Sequence, residues 1–324
     1  MKKTIKIAVT ALVLSLLSVP ALAWDMPTEL VPVGEVRGIT VGTGLVITDL
    51  GEKDGHSPAR EAGLLPGDKL ISLGGKRLES AGDLVGAVAE SDGALIAVCE
   101  RGGEEFTATI EPYRTGGECY IGVWIRDGIS GIGTVTFYDP ASGVFGALGH
   151  PVSDESIGDR GEMRDCELTG VLRGKPGEPG ELTGEVGESI LGSITVNSAV
   201  GIFGTMDLTG FEGAIPVSHS AHTGQAEIIA SPDGARHRYT IEITRVYPEA
   251  EGAKSMMVRV TDPELIAMTG GIVQGLSGSP IVQDGKLVGA VTHVLISDPT
   301  RGYAVSIERM LEECAERGIY EPAA

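Results

Sequence analysis

The sequence predicts a mainly β protein with room for about two domains. Glycine is very frequent, at 48 of 324 residues, whereas aromatic residues make up only 4%. Short apolar runs separated by glycines recur along the chain, a pattern typical of strands joined by tight turns. A chain of this length can build two hydrophobic cores. The formal net charge is −20 and dispersed, which argues against nucleic acid or an anionic membrane surface as a partner, because both require a basic face.

The N-terminus has the features of an export signal. Three lysines precede an apolar run at 7–19, and small residues follow at 21–23. We therefore expect residues 1–23 to direct the protein across the cytoplasmic membrane. The segment is then either cleaved after Ala23 or kept as an anchor, which would be the only contact with a membrane.

Residues 24–35 contain proline and no clear periodicity, so we expect a loosely ordered linker there. The four cysteines are widely spaced and show no C-x-x-C pattern. No metal site and no cofactor is therefore expected, and the thiols are either free or joined in at most one disulfide.

Residues 36–112 form the first predicted domain. A strand at 39–48 precedes a short helix that begins at Ser57, and a second strand follows at 69–73. An amphipathic helix at 80–90 and two further strands complete the unit.

This order of elements occurs together with the run Ser57-Pro58-Ala59-x-x-Ala62-Gly63-Leu64-x-x-Gly67-Asp68-x-Leu70, and the combination resembles a PDZ domain of bacterial exported proteases. The resemblance implies that an extended peptide, either a partner's tail or a segment of the same chain, adds to a sheet edge beside the long helix. It places the peptide-binding loop at Gly42, Thr43, Gly44 and Leu45. The alternative is a small domain that only braces the rest of the chain.

The stretch 271–282 carries the strongest chemical signal. Ser277 lies between Gly275-Leu276 and Gly278, and Ser279-Pro280 leads into an apolar strand. Small neighbours would let a substrate carbonyl approach the Ser277 hydroxyl, and glycine would free the amides of Gly275 and Ser277 to converge on an oxyanion. Acyl transfer needs this geometry. The same residue types also form ordinary loops between strands, so the motif alone leaves both interpretations open.

A serine nucleophile needs a base, and the base needs a group that orients it. His150 lies in a glycine-proline corner after an apolar run, a place that suits either a base or a structural turn. His293, in an apolar strand, is an alternative base or a residue that lines the site or the core. Asp262 lies on the corner between a strand and a short helical stretch, fifteen residues before Ser277, and Asp154 is an alternative acid.

The run from Thr269 to Pro280, together with 147–150, 201–204 and 289–293, resembles the SpoIVB peptidase family of sporulation serine proteases. The resemblance implies that residues 113–324 form a chymotrypsin-like double β-barrel peptidase domain behind the PDZ domain. By the same resemblance the catalytic residues are His150, Asp262 and Ser277. Ser279 and His293 are further candidates to line the site.

The function implied by this resemblance is that of an exported serine endopeptidase in sporulation signalling. Such an enzyme cleaves itself and then a membrane-bound regulator of an intramembrane protease, in the space between the forespore and mother-cell membranes. Two alternatives are a PDZ scaffold whose protease-like domain is inactive, and an exported protease that removes damaged proteins.

Overall fold

The computed structural model describes residues 26–42, 45–78, 80–126, 128–152, 160–208, 211–250 and 252–320. The predicted export signal at 1–23 lies outside these residues. Within the described ranges, no helix has both the length and the apolar character needed to cross a membrane.

Two strands open the described chain, and neither is part of a linker or of the predicted first domain. They are β1 (Glu29–Pro32) and β2 (Val36–Val41). β1 pairs with a later strand at 129–138, and β2 lies between that strand and another at 161–172. The predicted linker at 24–35 is therefore wrong from residue 29 onward, and the predicted domain boundary at residue 36 is wrong as well. Both errors have one cause, since the partners of these strands lie about a hundred residues away in sequence.

The next unit covers residues 45–126. Its elements are β3 (Leu45–Leu50), α1 (Pro58–Glu61), β4 (Lys69–Leu73), β5 (Lys76–Arg77), α2 (Ala81–Ala89), β6 (Leu95–Arg101), β7 (Glu104–Ile110), β8 (Tyr113–Thr115), β9 (Glu118–Tyr120) and β10 (Val123–Arg126). The sheet order is β10-β3-β4-β6-β7. Helix α2 begins with a capping box between Ser80 and Asp83, and it packs Leu84 and Val88 against the sheet.

The first barrel takes up the chain again at β11 (Ile129–Tyr138). It continues with β12 (Val144–Ala147), β13 (Gly161–Leu172), β14 (Glu181–Ser198) and β15 (Gly201–Met206), and β16 (Ile215–Pro216) pairs outside the barrel with β1. β2 and β11 to β15 form a closed ring, because β11 pairs with both β2 and β12. The 45–126 unit is thus inserted between two neighbouring strands of this barrel.

The second barrel is closed by six strands in the order β17-β18-β19-β22-β21-β20. Its elements are β17 (Gly224–Ala230), β18 (His237–Val246), β19 (Met256–Val260), α3 (Pro263–Thr269), β20 (Pro280–Gln283), β21 (Lys286–Leu295), β22 (Asp298–Ser306) and α4 (Ile307–Glu316). Alternate residues Tyr239, Ile241 and Ile243 of β18 point into its core, as the period of two in a strand requires.

Helix α4 joins the two barrels. Its buried face, with Met310 and Leu311, packs against Phe137 and Val144 of the first barrel and Leu287 of the second. This shared core fixes one barrel against the other and leaves a cleft between them on another side. All four cysteines are free.

Candidate active site

A cavity of about 460 Å³ opens between the two barrels, and four of the predicted site residues line it. Gly275, Ser277 and His293 come from the second barrel, and His150 follows β12 of the first barrel. The rest of the lining is largely aliphatic, with Ile39, Ile129, Ile132, Leu148, Val152, Ile272, Val273, Val294 and Ile296.

The turn that carries Ser277 is pressed against the first barrel. Gly278 has φ +96°, and a Cβ there would lie 2.0 Å from the carbonyl oxygen of Thr134 and 2.5 Å from the nitrogen of Leu148. Only glycine fits at this position. Thr134 also donates its hydroxyl to the carbonyl of Gly275 at 2.7 Å, and its N–H to the carbonyl of Ser277 at 3.0 Å.

Two peptide groups of this turn are held by their carbonyls. The carbonyl of Gln274 accepts the N–H of Leu182 at 2.9 Å, and that of Leu276 accepts the N–H of Ser279 at 3.0 Å and its hydroxyl at 2.7 Å. Because the C=O and N–H of a trans peptide point in opposite directions, the amides of Gly275 and Ser277 are turned away from these partners. Neither amide donates to an acceptor within the described part of the chain, so both can donate to a developing oxyanion.

Ser279 has a different place from the one predicted. It is fully buried and does not line the cavity. Since its N–H and hydroxyl both hold the carbonyl of Leu276, it acts behind the turn and orients the amide of Ser277.

The hydroxyl of Ser277 is hydrogen-bonded to the backbone in this structure. It donates to the carbonyl oxygen of Thr292 at 2.7 Å and makes no hydrogen bond to His150. A rotation about the Cα–Cβ bond of Ser277 is therefore needed before a histidine can take its proton.

His150 follows a tight corner that lies against the second barrel. Leu148 and Gly149 have φ +65° and +69°, and a Cβ on Gly149 would come within 2.7 Å of the Thr292 side chain. The Nδ1–H of His150 donates to the carbonyl of Pro151 at 2.8 Å. A carbonyl only accepts, so Nδ1 carries the proton and Nε2 is left with the lone pair. Burial lowers the pKa of His150, and the Pro151 bond opposes this in part.

His293 lies beside His150, with ring centroids 5.2 Å apart. Its Nδ1 is buried without a hydrogen-bond partner among the described residues. Burial above all, with smaller contributions from His150 and Lys254, lowers the pKa of His293 to about 4. A neutral ring at this position adds to the apolar lining of the cavity.

Asp262 is not brought to the other predicted residues. Its carboxylate is the N-cap of α3 and accepts the N–H groups of Glu264 and Leu265 at 2.9 and 3.1 Å, and that of Thr240 at 3.1 Å. Among the described residues, no carboxylate pairs with His150. The structure thus gives Asp262 a role at the start of a helix and does not support it as the group that orients the base. Asp154, the alternative, lies outside the described residues.

The glycine-rich segment at 170–192 forms the outer part of the long β13–β14 hairpin, and the tip of this hairpin touches the nucleophile turn. Gly180 accepts the N–H of Gln274 at 2.9 Å, and Pro179 lines the cavity. A Cβ on Gly180 would meet the nitrogen of Gly174 at 2.3 Å, so the glycines at the tip serve a close approach of backbones.

Thr134 and Thr136 were not predicted as site residues, although both form hydrogen bonds to the nucleophile turn. Thr136 donates its hydroxyl to the carbonyl of Gly278 at 2.8 Å, as Thr134 does to Gly275. Both threonines are fully buried on one face of β11. The sequence does contain a pattern that indicates this role, namely two threonines at alternate positions of an apolar strand. Buried hydroxyls need hydrogen-bond partners, so such threonines are expected to bond to a neighbouring segment.

The groove of the inserted unit differs from the predicted one. A cavity of about 510 Å³ lies between Leu84, Val85 and Val88 of α2 and the segment 119–123, beside the sheet edge formed by β10. The predicted loop at 42–45 is wrong, since Leu45 is buried in the core and Gly42 bonds to the first barrel; Thr43 and Gly44 lie outside the described residues. Insertion explains the difference, because β3 is inside the sheet and the last strand, β10, is the edge strand that lines the groove beside α2.

Comparisons with known proteins match two family models to successive parts of the chain. A PDZ domain model matches residues 54–98, and the model of the SpoIVB peptidase S55 family matches residues 117–311. No curated protein shows detectable similarity to the chain.

Similar solved structures include proteases and an isolated PDZ domain. The Rv3671c protease from M. tuberculosis in its active form is 14% identical over 60% of this chain and 78% of its own, with a TM-score of 0.33. The HtrA-type protease AlgW with a tripeptide is 14% identical over 59% of this chain and 56% of its own, with a TM-score of 0.36. The PDZ domain of the SdrC-like protein from Listeria monocytogenes is 17% identical over 26% of this chain and 87% of its own, with a TM-score of 0.23.

The family model covers more than half of the chain and includes the nucleophile turn, the His150 corner and most of both barrels. The chain therefore belongs to the SpoIVB peptidase S55 family, and it is a serine peptidase that carries a PDZ domain.

Proposed function

We propose that this peptidase is an exported endopeptidase that cleaves itself and then a membrane-bound regulator of an intramembrane protease in sporulation signalling, between the forespore and mother-cell membranes. The observation that carries the enzymatic part is the cavity between the barrels, because His150 and Ser277 both line it and the amides of Gly275 and Ser277 have no acceptor within the described residues. The family assignment and the basic and apolar N-terminus support the cellular part.

The proposed reaction starts with the rotation of Ser277 away from the carbonyl of Thr292. As Oγ bonds to the substrate carbonyl carbon, its proton passes to Nε2 of His150, and the carbonyl electron pair moves onto the oxygen. The amides of Gly275 and Ser277 stabilise that oxyanion. His150 then returns the proton to the leaving amine, and water repeats the sequence on the acyl-enzyme.

The cavity lining favours an aliphatic residue before the scissile bond. Ile272, Val273, Val294 and Ile296 line the cavity together with Ser277, and among the described residues no Asp, Glu, Lys or Arg lines it. An apolar side chain gains free energy by leaving water there, whereas a charged one would stay unpaired. Fluorogenic peptides that differ only at this residue test the point, and a preference for lysine or aspartate over leucine contradicts it.

Labelling by a fluorophosphonate probe tests the nucleophile. The wild-type protein should be labelled and should shorten itself over time, and Ser277→Ala should lose both properties. Ser279→Ala is the comparison, because this serine is two residues away and does not line the cavity, so this variant should be labelled more slowly but should not lose labelling. Labelling that disappears in Ser279→Ala but persists in Ser277→Ala contradicts the assignment, and an unlabelled wild-type protein favours the inactive scaffold.

We further propose that the PDZ unit tethers the protein substrate through its groove. Strand β10 has a free edge beside Val85, whose side chain is 67% exposed, so an extended segment can add to it. Tethering raises the local concentration of a substrate, to about the millimolar range with a short flexible link.

Excision of the unit tests the tether. Gly42 and Gly128 are in contact, since a Cβ on Gly128 would lie 2.5 Å from the carbonyl oxygen of Gly42. Residues 43–127 can therefore be replaced by an Asn-Gly turn that keeps β2 and β11 paired. Hydrolysis of a short peptide should persist, while cleavage of a protein substrate should slow. Equal rates on both substrates before and after excision would contradict the tether.

The alternative function, removal of damaged proteins, is tested with unfolded casein. Rapid cleavage of casein would favour that alternative over a narrow signalling protease.

A further inference from the structure

The tip of the β13–β14 hairpin belongs to the first barrel but is bonded to the second at several points. Gly174 donates its N–H to the carbonyl of Thr269 at 2.8 Å, and Gly177 donates its N–H to the carbonyl of Ile296 at 2.8 Å. Thr269 ends α3, whereas Ile296 lies in the turn after β21 and lines the cavity. The tip is thus fixed to two separate segments of the second barrel beside the nucleophile turn.

The backbone of Gln274 is bonded at both ends to this tip. Its N–H donates to the carbonyl of Gly180 at 2.9 Å, and its carbonyl accepts the N–H of Leu182 at 2.9 Å. Glu181 and Gln274 therefore form a parallel bridge. The peptide group that accepts from Leu182 joins Gln274 to Gly275, and its other end is an N–H of the oxyanion site. A hairpin of one barrel thus holds a donor of the other.

Gly275 gives this peptide group freedom that the hairpin restrains. Its φ is +94°, and glycine adopts positive and negative φ about equally readily. A rotation of the Gln274–Gly275 peptide group by half a turn would point the carbonyl at the oxyanion, and it would break the bond from Leu182. The side chain of Leu182 adds a contact, since it is 1% exposed in the core of the second barrel, and a Cβ on Gly275 would lie 3.0 Å from its Cβ.

We propose that the tip of the β13–β14 hairpin positions the oxyanion amide of Gly275, with Gly180 and Leu182 as the positioning residues. The inference rests on the proposed function, in which Ser277 attacks a carbonyl whose oxygen this amide stabilises. Neither positioning residue lines the cavity, and both act through the backbone of Gln274. A displaced tip should therefore leave substrate binding largely in place and slow the chemical step.

The first test compares Gly180→Ala with Gly170→Ala. A Cβ on Gly180 would lie 2.3 Å from the nitrogen of Gly174 and 2.6 Å from Cγ1 of Val273, so the tip must shift relative to the nucleophile turn. Gly170 is the matched control on the same hairpin, because its Cβ would meet Oγ1 of Thr183 at 3.2 Å. With a fluorogenic peptide cleaved after leucine, Gly180→Ala should lower kcat about tenfold or more at little change in KM, and Gly170→Ala should change neither.

The second test compares Leu182→Ala with Leu172→Ala. Leu172 lies on the same hairpin but is 60% exposed, so this control removes the same atoms without loosening the tip. Leu182→Ala should lower kcat as Gly180→Ala does, and Leu182→Met, which keeps most of the buried volume, should recover the rate. Unfolding in denaturant shows for each variant that the assayed protein is folded.

Two inhibitors separate positioning from a purely structural role. The hydroxyl of Ser277 adds across the C=O bond of a peptide aldehyde that ends in leucinal, which places the former carbonyl oxygen against the oxyanion amides, whereas the matched alcohol only occupies the cavity. Gly180→Ala and Leu182→Ala should weaken binding of the aldehyde about tenfold or more relative to the alcohol.

Three results would overturn the proposal: an equal loss of affinity for both inhibitors, wild-type affinity for the aldehyde in either folded variant, or the same selective loss in the controls at Gly170 and Leu172. A wild-type protein that neither reacts with the fluorophosphonate probe nor binds the aldehyde refutes the proposed function instead.

Discussion

Replacing His293 with glutamine should make the folded protein less sensitive to mild acid. Burial lowers the pKa of His293 to about 4, against 6.5 for the free side chain. At pH 5.0 the unfolded chain therefore binds a proton at this residue and the folded protein does not, so stability falls as the pH falls. The pKa of the unfolded chain, 6.5, lies 1.5 units above pH 5.0. The unfolding free energy should therefore fall by about 2 kcal/mol between pH 7.5 and pH 5.0 because of this residue.

The assay is chemical denaturation at pH 7.5, 6.5, 5.75 and 5.0, in a Ser277→Ala background that excludes self-cleavage. The unfolding free energy of the His293→Gln variant is compared with its parent at each pH. The difference between the two should change by about 2 kcal/mol in favour of the variant as the pH falls to 5.0. His237→Gln, at a partly exposed histidine on β18, is the control. A difference that is constant with pH would refute the reasoning, because His293 would then titrate alike in both states.

Three further substitutions test other parts of the structure. Asp262→Asn should leave labelling unchanged, because an amide oxygen still caps α3, and a large loss of activity in this variant would show that Asp262 is the triad acid. Asp262→Ala, which removes the cap, should lower the unfolding free energy by about 1 kcal/mol. Ser279→Ala should slow labelling by about tenfold, since the carbonyl of Leu276 loses one of two donors, and an unchanged rate would show that the N–H of Ser279 suffices. Arg101→Ala leaves the carboxylate of Asp68, which is 1% exposed, without its two guanidinium bonds of 2.6 and 2.7 Å. The PDZ unit should become less stable, by less than for a fully buried pair because Arg101 is 45% exposed, and calorimetry should show its transition at a lower temperature.

The local signals in the sequence were informative where a feature depends on neighbours in the chain. The glycines around Ser277 and the corner at His150 are features of this kind, and the structure places both residues in one cavity. The helix at 80–90 was also readable, since its cap and its apolar face lie within a few turns.

The missed features depend on partners far away in sequence. Nothing local shows that β2 pairs with β11 and β13, or that the tip of the β13–β14 hairpin reaches the nucleophile turn. Asp262 is an error of another kind, because here a local pattern was present but was given the wrong interpretation. Its position before a short helix is equally typical of an N-cap, and the structure shows that capping is what its carboxylate does.

The insertion of the PDZ unit between β2 and β11 affects how the barrel forms. The ribosome releases β1 and β2 before the unit and all their partner strands after it, so neither strand can pair until the unit has been made. An unfolded segment of about 85 residues would cost about 3 kcal/mol more to close than a two-residue turn. Once folded, the unit brings Gly42 and Gly128 together and removes most of that entropic cost. The first barrel should thus assemble on a PDZ unit that is already folded, and a peptide that stabilises this unit would also speed the closure of the barrel.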